Sequence, residues 1–191
     1  MKVFEAAGIR NVAVVGHSGA GKTQLISAAL VDAGAVNRFG KVDEGTTVTD
    51  YDEEAIARHH TLAASLAYLE VDKQKVNLID TPGMGNFLTD ARAALRVAEA
   101  ALVVVDAVSG PHVSTEKVWE TAEELQLPRL IVCTRLDRDR AGSCRRDAGD
   151  VPLRSASAAR QGRQEEEARS QGLREAEEGR EAHPDRRAAP K

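Results

Sequence analysis

No stretch of this chain comes near the roughly 18 continuous apolar residues that a membrane-spanning helix requires. The opening Met1-Lys2-Val3-Phe4-Glu5 also lacks the apolar centre of a secretory signal. Membrane insertion and export are therefore not expected, and a soluble, cytoplasmic protein with no membrane partner is. Positive charge is short as well. The 26 Lys and Arg stand against 30 Asp and Glu, a net charge of −4, so no overall field draws the molecule to nucleic acid and direct DNA binding is not expected. There are only two cysteines, Cys133 and Cys144, which allow at most one bridge. Cys133 lies in the apolar run Leu130-Ile131-Val132-Cys133 and reads as a small buried hydrophobe in a reducing compartment.

The absences are sharpest beyond Arg140. From Ala141 to Lys191 there is no Ile, Phe, Tyr, Trp or Met, while eleven Lys or Arg and ten Asp or Glu fill those 51 residues. Such a segment cannot bury enough apolar surface to offset the entropy of ordering it. The expected organisation is one globular domain over 1–140 and a charged low-complexity tail over 141–191 that is disordered or a solvated helix.

What the first part does contain is an alternation of short apolar runs with helical spacing, the pattern of a parallel sheet covered by helices. Strands are predicted at Asn11–Val15, Thr61–Val71, Val76–Ile79, Ala101–Val105 and Arg129–Thr134, and helices at Lys22–Ala33, Asn86–Ala100 and Ser114–Leu125. The polar stretch Gly34–His60 reads as a long loop, and loops of that length in an α/β domain are more often functional than structural.

Three motifs fall at the ends of predicted strands. Gly16-His17-Ser18-Gly19-Ala20-Gly21-Lys22-Thr23 matches the Walker A pattern in full, after a strand and opening a helix. Its glycines let backbone N–H groups curl around phosphate oxygens, and the helix start adds its positive dipole end. Lys22 is expected to reach the β- and γ-phosphates and Thr23 to offer a hydroxyl to Mg²⁺. Asp80-Thr81-Pro82-Gly83 follows the strand Val76–Ile79. There the carboxylate can hold the Mg²⁺ shell, and Gly83 can present its N–H to the γ-phosphate with no side chain in the way. Thr134-Arg135-Leu136-Asp137 stands where GTPases read guanine with Asn-Lys-x-Asp. Asp137 can accept from the base N1–H and exocyclic amine, Arg135 can stack along the ring in place of Lys, and Thr134 replaces Asn, which weakens the selectivity for guanine.

Together these residues resemble the GTP-binding domain of translation elongation factor G, in particular its elongation factor G-like paralogues, from about Arg10 to Arg140. Gly45-Thr46-Thr47-Val48-Thr49-Asp50-Tyr51-Asp52 is similar to the start of that family's first switch. Asp106-Ala107-Val108-Ser109-Gly110, with Glu116-Lys117-Val118-Trp119 after it, is similar to the passage before the base-reading loop. The resemblance implies an α/β P-loop NTPase fold of the translational GTPase type: a mostly parallel sheet with helices on both faces, here truncated before the last strand and helix. It further implies GTP and GDP as ligands, Mg²⁺ as cofactor, and the ribosome as the family's partner. Thr61 falls where the first switch supplies a second hydroxyl to Mg²⁺, so Lys22, Thr61 and Gly83 form the expected catalytic set and Thr23, Thr61 and Asp80 the metal set.

The chain also departs from the family. Arg58-His59-His60 replaces Arg-Gly-Ile before Thr61. Met84 stands where elongation factor G carries the histidine that orients the attacking water. A methionine sulfur is a poor hydrogen-bond partner, so hydrolysis is expected to be slow. The likeness stops near Ala141, where the change in composition suggests a shifted reading frame, with a natural charged tail as the alternative. Ser155-Ala156 and Ser157-Ala158 mimic the family's base-contacting loop without a strand before them. A slow GTP hydrolase, a nucleotide-binding module without turnover, and an inactive fragment all remain open.

Overall fold

Val12 to Val15 form four consecutive apolar residues, which is what a strand with parallel neighbours on both sides and helices on both faces requires. They lie within β1, Ile9–Gly16, at the centre of a five-stranded sheet. The computed structural model describes residues 3–139 and 141. The tail expected over 141–191, with its Ser-Ala steps, lies outside the described residues apart from Ala141.

The remaining elements are α1 (Lys22–Asp32), α2 (Glu53–Arg58), β2 (Ser65–Val71), β3 (Gln74–Asp80), α3 (Leu88–Val97), β4 (Ala100–Asp106), α4 (Val113–Glu124) and β5 (Arg129–Thr134). Strand order is β2-β3-β1-β4-β5, with β2 and β3 antiparallel and every other pair parallel. The antiparallel pair follows from a two-residue turn. Asp72 and Lys73 take φ of 49° and 65°, the twist that lets two strands reverse without splaying.

Alternate residues of the strands serve opposite faces. Val14, Val104, Leu78, Ala67 and Leu69 pack with Ile26 and Leu30 of α1. Ala13, Val15, Val103 and Val105 have the opposite parity and are buried too, on the side where α3 and α4 pack against β1 and against each other. The mostly parallel sheet with helices on both faces is thus as the motifs implied. Among the described residues no helix is long and apolar enough to cross a membrane.

Several boundaries differ from the sequence expectation. β2 begins at Ser65 rather than Thr61, because the Thr61 hydroxyl is bonded to the functional site rather than joining the sheet. Asn86 and Phe87 belong to a 3₁₀ turn, Gly85–Phe87, ahead of α3, and Ala100 starts β4 instead of ending that helix. The stretch read as loop holds α2, capped by Asp52, whose carboxylate accepts from Glu54 N at 2.8 Å and whose last turn carries the Arg58–Glu54 ion pair. β5 is an edge strand in this sheet with Leu130 exposed. Cys133 on it is half-buried rather than fully buried as expected.

Candidate nucleotide site

The β1 strand must turn sharply to leave the sheet and enter α1, and two glycines permit it. Gly16 has a φ of 147°, and a Cβ there would lie 2.3 Å from the Val104 carbonyl oxygen of the neighbouring strand. Gly21 caps α1 with a φ of 90°, a left-handed conformation that costs glycine little. The turn between them buries Lys22 and Thr23 on the first coil of the helix. Lys22 Nζ donates to the carbonyls of Gly16 at 3.2 Å and His17 at 2.9 Å, so the ammonium braces the loop from inside. Burial lowers its pKa to about 8, against the opposing pull of Asp80 and Asp50.

Asp80 ends β3 fully buried. Its Oδ2 accepts from Thr23 Oγ1 at 2.7 Å and from Thr49 Oγ1 at 2.9 Å. Its Oδ1 is also buried and has no hydrogen-bond partner. Burial pushes the carboxyl above its usual range, and the two threonine hydroxyls only partly oppose that. Thr61 Oγ1 lies 3.2 Å from Thr23 Oγ1 and donates to Asp50 Oδ1 at 3.0 Å. A buried carboxylate oxygen without a partner, next to two hydroxyls, is a hard-oxygen environment of the kind that suits Mg²⁺. Among the described residues no cluster of His, Cys, Asp or Glu could hold a metal by itself.

Thr81, fully buried, donates to the Val14 carbonyl at 2.7 Å and ties the end of β3 to β1. Pro82 is buried beside it. The next residue, Gly83, lies so close to the phosphate loop that a Cβ would be 2.4 Å from Ser18 N and 2.5 Å from Lys22 Nζ. Ser18 N, Lys22 Nζ and Gly83 therefore converge at one end of the site.

At the other end Thr134 Oγ1 donates to the Ala20 carbonyl at 2.7 Å, across 114 residues of sequence, and fixes the Thr134–Asp137 turn against the phosphate loop. Arg135, with a φ of 56°, directs its guanidinium to Asp106 at the end of β4, so it is engaged by a carboxylate instead of lying free for stacking. Burial alone would raise the pKa of Asp106, but donation from Val108 N and Arg135 outweighs it and holds the carboxyl below its usual range. Asp137 remains exposed.

One cleft of about 620 Å³ joins these parts. Of the residues singled out in the sequence, Ser18, Gly19, Gly21, Lys22, Thr23, Thr61, Gly83, Thr134, Arg135 and Asp137 line it. Gly16, Ala20, Asp80, Thr81 and Pro82 are buried behind it. The His17 side chain turns to a second cleft, where it stacks on His112 with ring centroids 4.1 Å apart. Burial, aided by His112 and Lys22, lowers its pKa to about 4, so its ring is neutral at pH 7. Phe39, Val42 and His60 were not singled out as site members, and Thr49 and Asp50 were placed at the start of the first switch without a role in the site, since their contacts are long-range and follow no short motif. The Asp52 cap was the available signal that this stretch folds back.

The sequence and the fold have counterparts among known proteins. Residues 7–181 match the elongation factor Tu GTP binding domain. The elongation factor G-like protein of Mycobacterium tuberculosis is 46% identical over 134 residues, which is 70% of this chain and 19% of that protein. The mitochondrial ribosome-releasing factor 2 of Candida dubliniensis is 38% identical over 142 residues, 74% of this chain and 18% of that one. A crystal structure of a Thermus thermophilus protein superposes with a TM-score of 0.71 at 45% identity, covering 80% of this chain and 23% of its own. The chain thus spans less than a fifth of the length of these curated relatives.

Proposed function

Because this chain belongs to the family of the elongation factor Tu GTP binding domain, we propose that it binds GTP and GDP with Mg²⁺ and hydrolyses GTP slowly. One arrangement carries the reading: the phosphate loop, Gly83 and the Thr134–Asp137 turn line a single cleft although they come from three distant parts of the chain. In this reading the backbone N–H groups of 18–23 hold the phosphates, and Lys22 exchanges its bonds to Gly16 O and His17 O for phosphate oxygens. Asp137 accepts from the guanine edge, and the Arg135–Asp106 pair holds the turn that presents it. Thr23, Thr61 and Asp80 would hold Mg²⁺, which when bound neutralises charge on the phosphate oxygens.

Slow turnover follows from Met84. It does not line the cleft, and its thioether could not orient a water if it did. That same observation favours a second reading, a module that binds nucleotide without turnover. Ribosome engagement and a cytoplasmic location are part of the proposal by family alone. Phosphate release from radiolabelled GTP under single-turnover conditions tests the central reading. Slow, Mg²⁺-dependent release supports the hydrolase; binding without release supports the module; no binding of either nucleotide defeats both.

A further inference from the structure

We propose that His60 is the residue that orients the attacking water in this chain, in the role Met84 cannot fill. The inference rests on the hydrolase reading above. His60 follows α2, and the left-handed backbone of His59, with a φ of 53°, turns the chain there so that His60 and Thr61 face the cleft. Its Nδ1 lies 3.4 Å from Ser18 Oγ. Ser18 belongs to the end of the site where its own N, Lys22 Nζ and the Gly83 backbone converge, the end at which a terminal phosphate would be held. The next residue, Thr61, bonds Thr23 and Asp50 and anchors the segment. His60 itself is exposed toward the cleft, where water has access, whereas Met84 is half-buried outside it.

The tautomer makes the arrangement usable. When Nδ1–H donates to Ser18 Oγ, Nε2 is left as an acceptor. It can then take a hydrogen bond from a water and aim that water's oxygen at the γ-phosphorus. In the step itself the water oxygen bonds to the γ-phosphorus while the bond from that phosphorus to the β–γ bridging oxygen breaks, its electron pair staying with GDP. One water proton remains on the attacking oxygen and the other passes to a γ-phosphate oxygen, so GTP and water become GDP and dihydrogen phosphate. His60 keeps no proton. Ser18 acts as a positioning residue, fixing the ring through Nδ1.

The test uses the full chain in its natural form and as H60L and H60Q. Thermal melts confirm folding, fluorescent GTP titration gives affinity, and single-turnover phosphate release gives the rate. The expected result is a rate at least roughly tenfold lower in H60L, within the range that positioned side chains contribute, with GTP affinity changed less than about threefold. H60Q should recover part of the rate, because an amide oxygen also accepts from water. An H60L rate within about twofold of the natural chain, where that chain does hydrolyse GTP, overturns the assignment of His60 alone. GTP binding without any release in the natural chain overturns both this inference and the hydrolase reading beneath it.

Discussion

Replacing Gly83 by alanine separates the contribution of backbone approach from that of side chains. The new Cβ would lie 2.4 Å from Ser18 N, 2.5 Å from the His17 carbonyl carbon and 2.5 Å from Lys22 Nζ. Two of these are phosphate-loop backbone. The third is a buried ammonium that can retreat only by giving up its bonds at 2.9 and 3.2 Å. Gly83 and the loop must therefore separate by roughly 0.5–1 Å, an overpacking that costs about 1–3 kcal/mol of stability. The Gly83 N–H then loses its aim at a terminal phosphate. A hydrogen bond to a charged group is worth about 1.5–3 kcal/mol, so GTP affinity should fall roughly 10- to 150-fold. GDP has no γ-phosphate and should lose far less. Gly85→Ala is the control, since nothing lies within 4 Å of a Cβ there, and it should stay within about 0.5 kcal/mol of the natural chain. Urea unfolding and titrations with fluorescent GTP and GDP measure both effects. Equal losses for the two nucleotides, or a Gly83→Ala variant indistinguishable from Gly85→Ala, would mean that close backbone approach at Gly83 does not serve the terminal phosphate.

Thr81→Val keeps the shape of a fully buried residue and removes its bond to the Val14 carbonyl; urea unfolding should show a loss of about 1 kcal/mol, with GTP affinity nearly unchanged. The Lys22 pKa of about 8 sets a pH dependence of binding. Phosphates need the ammonium, so above pH 8 the nucleotide-free protein must take up a proton to bind, and affinity measured by titration should be flat below pH 8 and fall toward about tenfold per pH unit above it. Asp106→Asn keeps an oxygen for Val108 N–H but removes the charge facing Arg135. It should cost about 1 kcal/mol or less, given the half-exposed guanidinium, and weaken GTP binding severalfold by loosening the base-reading turn. Because the folded pKa of Asp106 is lowered, that contribution is present above the ordinary carboxylate value and is lost as pH falls from there through the lowered folded value.

The parts of this site legible in the sequence were those encoded locally. The phosphate loop, the Asp80–Gly83 turn and the Thr134–Asp137 turn each follow a strand whose apolar run announces it, and the structure brings them to one cleft. The folded path of the segment between Gly34 and Thr61 was not legible, although the resemblance placed 45–52 at the start of the first switch. Its apolar residues are too sparse for periodicity to speak, and its order comes from contacts such as Thr49 with Asp80 and Gln24 with Gly40, which no local pattern encodes. Thr61 extended the predicted strand because threonine favours strands, yet its hydroxyl is bonded to Thr23 and Asp50. Arg135 could be read as a stacking group from its chemistry, but its ion pair depends on Asp106, 29 residues earlier, and only the parallel pairing of β4 with β5 puts the two side by side.

Everything proposed for this chain depends on guanine-selective, Mg²⁺-assisted nucleotide binding, for which calorimetric titration with GTP and with ATP, each with and without Mg²⁺, is the sharpest assay. GTP binding should tighten when Mg²⁺ is present and exceed ATP binding by a margin that Asp137→Ala abolishes. Equal affinity for the two nucleotides in the natural chain, or GTP binding indifferent to Mg²⁺, would overturn it.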